Sequence, residues 1–194
     1  MFSKQIISNI SDSIDVKNKL ISCDESLNLI SDISQSCINS LKDGNKIIFC
    51  GNGGSFGDSQ HLSAELTGKY AFDRQPLASV ALGTNNSSIS AIGNDYGYEF
   101  VFSRELEAIG KKGDVLIAIS TSGKSINVIK AIEKSKEIGI LSYALLGNDG
   151  GEIKNITTSL IIPTNVTARI QESHIMVGQI ICGIIEAELG IRIK

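Results

Sequence analysis

A doubly wound α/β fold, a three-layer sandwich around five parallel strands, is predicted by three features of the sequence. Short apolar runs at 46–50, 77–82, 115–120 and 141–146, with a weaker one at 159–162, have the near-continuous hydrophobicity of strands buried on both faces. Each is separated from the next by a segment of helical character, the alternation of a parallel sheet built from crossovers. Two of the runs end in loops rich in glycine and serine, and open parallel sheets hold ligands at such strand ends.

The elements follow in order along 194 residues, a length that suits one domain. Residues 4–42 show no strand pattern, and Leu27, Ile30, Ile33, Cys37, Ile38 and Leu41 form an apolar stripe at helical spacing. Ser22-Cys23-Asp24-Glu25 has the form of a capping box and Asp43-Gly44 supplies a stop, so two helices are expected before the sheet begins. The chain closes with a long helix over 167–189, where Ile170, Ile175, Val177, Ile181, Ile184 and Ile185 put apolar residues on more than one face. Such a helix is wholly buried or sits at a subunit contact. An oligomer is therefore expected, with residues 1–44 used in assembly and residues 45–194 forming the α/β core and its closing helix.

Composition excludes several classes. A net charge of −3 gives no general attraction to nucleic acid or to an anionic membrane, so any phosphate must be held by local geometry. The charge-free stretch from Gln75 to Asn94 contains Asn85-Asn86-Ser87-Ser88, too polar for a membrane span. The N-terminus has no signal-peptide pattern. Cys23, Cys37, Cys50 and Cys182 form no C-x-x-C pair, which argues against a zinc ribbon and for a reducing, cytoplasmic setting. The two histidines, His61 and His174, limit any scheme built on imidazole.

Chemistry concentrates in two loops. The first strand runs into Gly51-Asn52-Gly53-Gly54-Ser55, and the third into Ser120-Thr121-Ser122-Gly123-Lys124-Ser125. Glycine lets backbone approach a ligand, hydroxyls add donors, and the helix N-terminus behind each loop offers free N–H groups and partial positive charge. One such loop is as readily a tight strand-to-helix turn; two in one sheet favour phosphate binding. Phe56 stands where a dinucleotide fingerprint needs glycine, and Ala118 where a P-loop needs its first glycine. On the helix after the first loop, His61 and Glu65 are four residues apart and share a face. That geometry suits a metal chelate, a base beside a bound sugar, or a solvated pair.

Gly51-Asn52-Gly53-Gly54-Ser55, His61-x-x-x-Glu65-Leu66-Thr67-Gly68, Gly93-Asn94-Asp95, Ser120-Thr121-Ser122-Gly123-x-Ser125 and Ala168-Arg169-Ile170-Gln171-Glu172-x-His174 resemble the phosphoheptose (sedoheptulose-7-phosphate) isomerases, members of the sugar-isomerase (SIS) domain family. The resemblance covers nearly the whole chain. It implies conversion of sedoheptulose 7-phosphate to D-glycero-D-manno-heptose 7-phosphate through an enediol, for heptose in lipopolysaccharide or another surface polysaccharide. It also implies a homotetramer with sites between subunits and one zinc per site. Carried over by position, Ser55, Ser120, Thr121, Ser122 and Ser125 hold the phosphate, while Asn52, Gly53, Gly54, Asn94 and Asp95 contact the sugar. His61, Glu65 and Gln171 belong to the metal site, with Gln171 also near substrate and Glu65 as base.

One position departs from the family pattern. A second catalytic, zinc-binding histidine is usual eight residues beyond Gln171; here that position is Gln179. A carboxamide does not exchange protons near neutral pH and is a weaker zinc ligand than imidazole. Retained sugar-phosphate binding with reduced metal affinity and altered turnover is expected. The other class of reading is a non-catalytic SIS module, binding sugar phosphate or adapting a replication initiator; Glu65 favours the enzyme and Gln179 the module. His174 reads as a core residue. Arg169 is placed either to face phosphate or to pair with Glu172.

Overall fold

The computed structural model describes residues 2–190. The strands are β1 (Ile47–Gly51), β2 (Ser79–Ala81), β3 (Val115–Ser120), β4 (Leu141–Leu146) and β5 (Thr158–Ile161). They form one parallel sheet in the order β2-β1-β3-β4-β5. The α-helices among the described residues are α1 (Ser3–Ile21), α2 (Asp24–Lys42), α3 (Gly54–Thr67), α4 (Asn86–Asp95), α5 (Val101–Ile109), α6 (Ile126–Glu137) and α7 (Thr167–Leu189).

Strand residues alternate between the two faces of the sheet, and here both faces are covered. Ile47, Phe49, Val115, Ile117, Ile119 and Leu145 pack against α2, α3 and α7, through Ile33, Cys37, Leu62, Leu66, Val177 and Ile181. Ile48, Cys50, Leu116, Ala118, Ala144 and Leu146 pack against α5 and α6, through Phe102, Leu106, Val128 and Ile132. This is the predicted three-layer sandwich, and it explains why the central strands read as unbroken apolar runs. After β1 the chain crosses to β2 on one side, and after β3 to β4 on the other. The order therefore reverses between β1 and β3, where both glycine- and serine-rich loops emerge.

Several local expectations are corrected. The capping box does not form: Cys23 is the N-cap of α2 and its side chain makes no capping bond, while the Ser26 hydroxyl donates to Cys23 Sγ at 3.2 Å. Strand β1 begins at Ile47 rather than Lys46, whose backbone N–H and ammonium both bind the buried Asp114 carboxylate, at 3.0 and 2.6 Å. Strand β2 shrinks to three residues at the sheet edge, because the Leu77 N–H goes to the Leu66 carbonyl of α3 (3.0 Å) instead of to a strand. Leu27, placed in the apolar stripe of α2, is 45% exposed in this chain, whereas Ile30, Ile33, Cys37 and Ile38 are buried. The stop at Asp43-Gly44 stands, with Gly44 at φ +74°.

Helix α1 buries Val16 and Leu20 but leaves Ile6, Ile7, Ile10 and Ile14 each more than half exposed. Polar contacts tie it to α7: Lys17 Nζ reaches Glu172 at 3.2 Å, and Arg169 donates to the Asn9 carbonyl. Arg169 also pairs with Glu172 at 3.2 Å, which settles its two readings in favour of the ion pair. No helix among the described residues is long and apolar enough to cross a membrane.

An ion pair between Arg74 and Glu186 (Nε to Oε1, 3.0 Å) lies wholly inside the protein. Burial opposes ionisation of Glu186, but N–H groups of Tyr70, Ala71 and Phe72 together with Arg74 outweigh it and hold its carboxyl below the usual glutamate range. Removing one partner of such a pair leaves a buried charge uncompensated. We expect Glu186→Ala to lower unfolding free energy by about 3–5 kcal/mol in a denaturant titration. Because the folded carboxyl titrates below its unfolded value, its contribution is present above the ordinary range near 4.5 and is lost as pH falls through the lower, folded value. Glu186→Gln should therefore flatten the acid limb of the stability profile.

Candidate active site

The first loop owes its shape to glycine. Gly53 has φ +57° and ψ −119°, a conformation that side chains disfavour. At Gly51 a Cβ would come within 2.7 Å of the Ser55 carbonyl oxygen. The turn starts α3 at once, with the Phe56 and Gly57 N–H groups closing on the Gly53 carbonyl at 3.1 and 3.2 Å. Ser55 lies in the first turn of that helix and is buried.

The second loop is closed by hydroxyls. Ser120 Oγ accepts from the Gly123 N–H at 3.1 Å and lies 3.3 Å from Ser125 Oγ, while Ser122 Oγ accepts from the Lys124 N–H at 3.2 Å. Ser125 is the N-cap of α6, but its side chain makes no capping bond and stays turned towards Ser120. Asn148, with φ +53°, donates to the Thr121 carbonyl at 2.9 Å, and Glu152 and Ile153 N–H groups donate to the Gly123 carbonyl at 2.9 and 3.1 Å. The segment after β4 thus braces the serine loop from behind.

The two loops are joined across the crevice. Asn52 and Asn127 exchange two amide hydrogen bonds, at 2.8 and 2.9 Å, and the Tyr98 hydroxyl donates to Asn52 Oδ1 at 3.3 Å. Asn127 is buried in the first turn of α6. Asn52 therefore spends most of its hydrogen-bonding capacity as a strut, with one amide hydrogen left for a ligand. Beside it lies a recess of about 200 Å³ lined by Gly51, Asn52, Gly53, Phe56, Gly83 and Tyr98, among others.

Helix α7 brings the remaining residues in by running alongside α3. A Cβ at Gly54 would overlap the Gln171 amide, and one at Gly178 would overlap Leu62, so both glycines permit close approach. Gln171 thereby sits against the first loop. Half-buried Gln179 follows Gly178, which lies against Leu62, the residue after His61. His61 Nε2 and Glu65 Oε1 are 2.8 Å apart, with the histidine about half exposed and the glutamate largely covered. One turn earlier, Asp58 has a buried Oδ2 with no hydrogen-bond partner; burial pushes its carboxyl up while His61 pulls it down.

Asn94 and Asp95 bond to each other at 2.8 Å and line an open recess along α4 with Asn86 and Ser90; Asn86 also lines the recess beside Asn52. His174 is fully buried, its Nε2 is 3.0 Å from the Leu146 carbonyl, and burial lowers its pKa to about 4. It is a neutral core residue, as its sequence context predicts.

Residues 15–147 match the family described as the SIS domain. The chain is 47% identical to the phosphoheptose isomerase of Sulfurimonas denitrificans over 187 residues, 96% of each chain. Its fold matches that of phosphoheptose isomerase from Neisseria gonorrhoeae with a TM-score of 0.89 at 38% identity, covering 96% of this chain and 100% of the other. The corresponding structure from Francisella tularensis gives 0.91 at 30% identity, covering 96% and 99%. The chain belongs to the SIS-domain family, in its phosphoheptose isomerase branch.

Within this SIS domain, the residues that zinc would use do not make a strong site. The set is His61, Glu65, Gln171 and Gln179: one imidazole and one carboxylate, already hydrogen-bonded to each other, and two neutral carboxamides. Catalytic zinc generally takes three protein ligands drawn from His, Cys and carboxylates. Among the described residues there is no group of three or more His, Cys, Asp or Glu able to hold a metal. We expect Gln179→His to bind zinc more tightly than the parent chain; equal metal content after dialysis against the same zinc buffer, read by elemental analysis, would contradict this.

Proposed function

We propose that this chain is an aldose–ketose isomerase that converts sedoheptulose 7-phosphate to D-glycero-D-manno-heptose 7-phosphate. The observation that carries the reading is the meeting of two N–H- and hydroxyl-rich loops at the sheet's reversal point, with the Glu65 carboxylate on the helix that starts from one of them. Phosphate lies among Ser55, Ser120, Thr121, Ser122 and Ser125, facing the N-termini of α3 and α6. Such charge-assisted bonds contribute about 1.5–3 kcal/mol each, which removes the need for a basic surface. The sugar runs past Asn52, Gly53 and Gly54 towards Gln171.

Glu65 takes a proton from C1 of the ketose, giving an enediolate; a proton passes from O1 to O2, and Glu65 returns its proton to C2 to form the aldose. Its contact with His61 fixes the carboxylate and leads to solvent. Gln171 and Gln179 donate hydrogen bonds to the sugar oxygens as negative charge develops there. No step is routed through zinc. The product suits a pathway that builds heptose into a surface polysaccharide. The non-catalytic SIS reading is not favoured, since it leaves the Glu65–His61 pair without a task. Glu65→Gln should lower turnover by about 10²–10⁴-fold while sugar phosphate still binds; full activity in a coupled heptose assay would overturn the assignment.

The assembly we propose is a homotetramer. Ile6, Ile7, Ile10 and Ile14 on α1 and Ile180 and Ile184 on α7 are exposed in the single chain, an apolar surface that a second copy would cover. Asn94 and Asp95, on an open recess along α4, would then be available to a neighbour's site. Ile7→Glu together with Ile10→Glu should give a smaller species by native mass spectrometry, whereas an unchanged mass would rule α1 out of the interface.

A further inference from the structure

We propose that Arg74 and Glu186 form a positioning pair for Glu65, fixing the last turn of α3 relative to α7. The inference rests on the reading of Glu65 as the base. The final carbonyls of a helix have no partners within it. At the end of α3, Arg74 supplies them: Nη2 donates to the Glu65 carbonyl at 2.8 Å, and Nη1 donates to the Leu66 carbonyl at 2.8 Å and the Gly68 carbonyl at 3.1 Å. The guanidinium thus holds the backbone of the very residue whose carboxylate faces the sugar. Its planar fork spans two successive carbonyls, a geometry a lysine ammonium does not reproduce.

Glu186 holds Arg74 in turn. It accepts from the N–H groups of Tyr70 at 2.9 Å, Ala71 at 2.6 Å and Phe72 at 3.3 Å. Its contact with Arg74 Nε is close in distance but not aligned as a hydrogen bond, so charge attraction and the shared backbone contacts define the pair. Glu186 lies on α7, the helix that carries Gln171 and Gln179. The pair therefore ties Glu65 to the helix opposite, through a segment (68–76) that has almost no regular structure of its own. A buried ion pair is weak evidence of stability in itself; specifying one geometry is a better-attested use. The phosphate loops lie at the other end of α3 and have their own braces, so loosening this end should spare phosphate binding.

Two variants test the proposal. Arg74→Lys keeps the charge but loses the fork. Arg74→Met together with Glu186→Leu removes both charges, so no unpaired charge is left to unfold the protein. Both should unfold cooperatively, keep KM for sedoheptulose 7-phosphate within about threefold, and lose at least about tenfold in kcat, as expected for a slightly misplaced base. The imidazole NMR signal of His61, which bonds Glu65, should move in both variants, while that of buried His174 stays in place. Folded variants with parental kcat and an unmoved His61 signal would overturn the proposal, as would a change confined to KM. If the parent chain itself does not isomerise the sugar, the functional reading fails, and the His61 signal still decides whether Arg74 positions Glu65.

Discussion

Strands β1 and β3 lie side by side but send the chain in opposite directions, and the site follows from that constraint. Their registers pair Cys50 with Ala118 and Gly51 with Ile119, so the two loops emerge at one level on one edge of the sheet. The crevice between them receives the N-termini of α3 and α6 together. In the proposed reading, two helix ends and a set of hydroxyls form the phosphate site, with fixed dipoles in place of mobile lysines. Such a site would serve a chain whose net charge is −3. It also explains the Asn52–Asn127 strut: loops from diverging crossovers have no covalent reason to keep their spacing, and a reciprocal amide pair holds it.

The second requirement is a base at a set distance from that phosphate, and helix α3 provides the spacer. Ser55 and Glu65 belong to the same helix, ten residues apart, or about 15 Å along its axis. The reacting carbons of a seven-carbon sugar 7-phosphate lie at the end away from the phosphate, so the proposed base and phosphate loop belong at opposite ends of one helix. Helix α7 closes the other side, and Gly178 lets it approach Leu62 closely enough for Gln171 to reach the first loop. Gln179, which the proposal places beside the sugar, offers a hydrogen-bond donor where the family resemblance leads one to expect an ionisable metal ligand.

Much of this was legible in the sequence. The central strands announced themselves as apolar runs because both faces of the sheet are covered. The loops announced themselves through Gly53, which needs positive φ, and through serines just before a helix. The i, i+4 spacing of His61 and Glu65 predicted the contact seen at 2.8 Å. What sequence could not disclose was pairing at long range. Asn127 lies 75 positions from Asn52, and the Glu186 carboxylate binds N–H groups 114 to 116 positions away. Nothing local marks Arg74 as anything but one more surface cation. The capping box failed for a local reason: α2 takes Cys23 rather than Ser22 as its N-cap, and Ser26 bonds the Cys23 sulfur within the same turn. The edge strand β2 was overestimated because its apolar residues serve α3 as well as the sheet.

In the proposed mechanism Glu65 shuttles a carbon-bound proton on a sugar held by the two loops. The decisive measurement is the reaction of sedoheptulose 7-phosphate in D₂O, with the product read by NMR. Because Glu65 contacts a half-exposed His61, the proton it takes should exchange with solvent before it is returned. The prediction is an aldoheptose 7-phosphate carrying deuterium at C2. Unchanged ketose, or an aldose with no deuterium at that carbon, would contradict it.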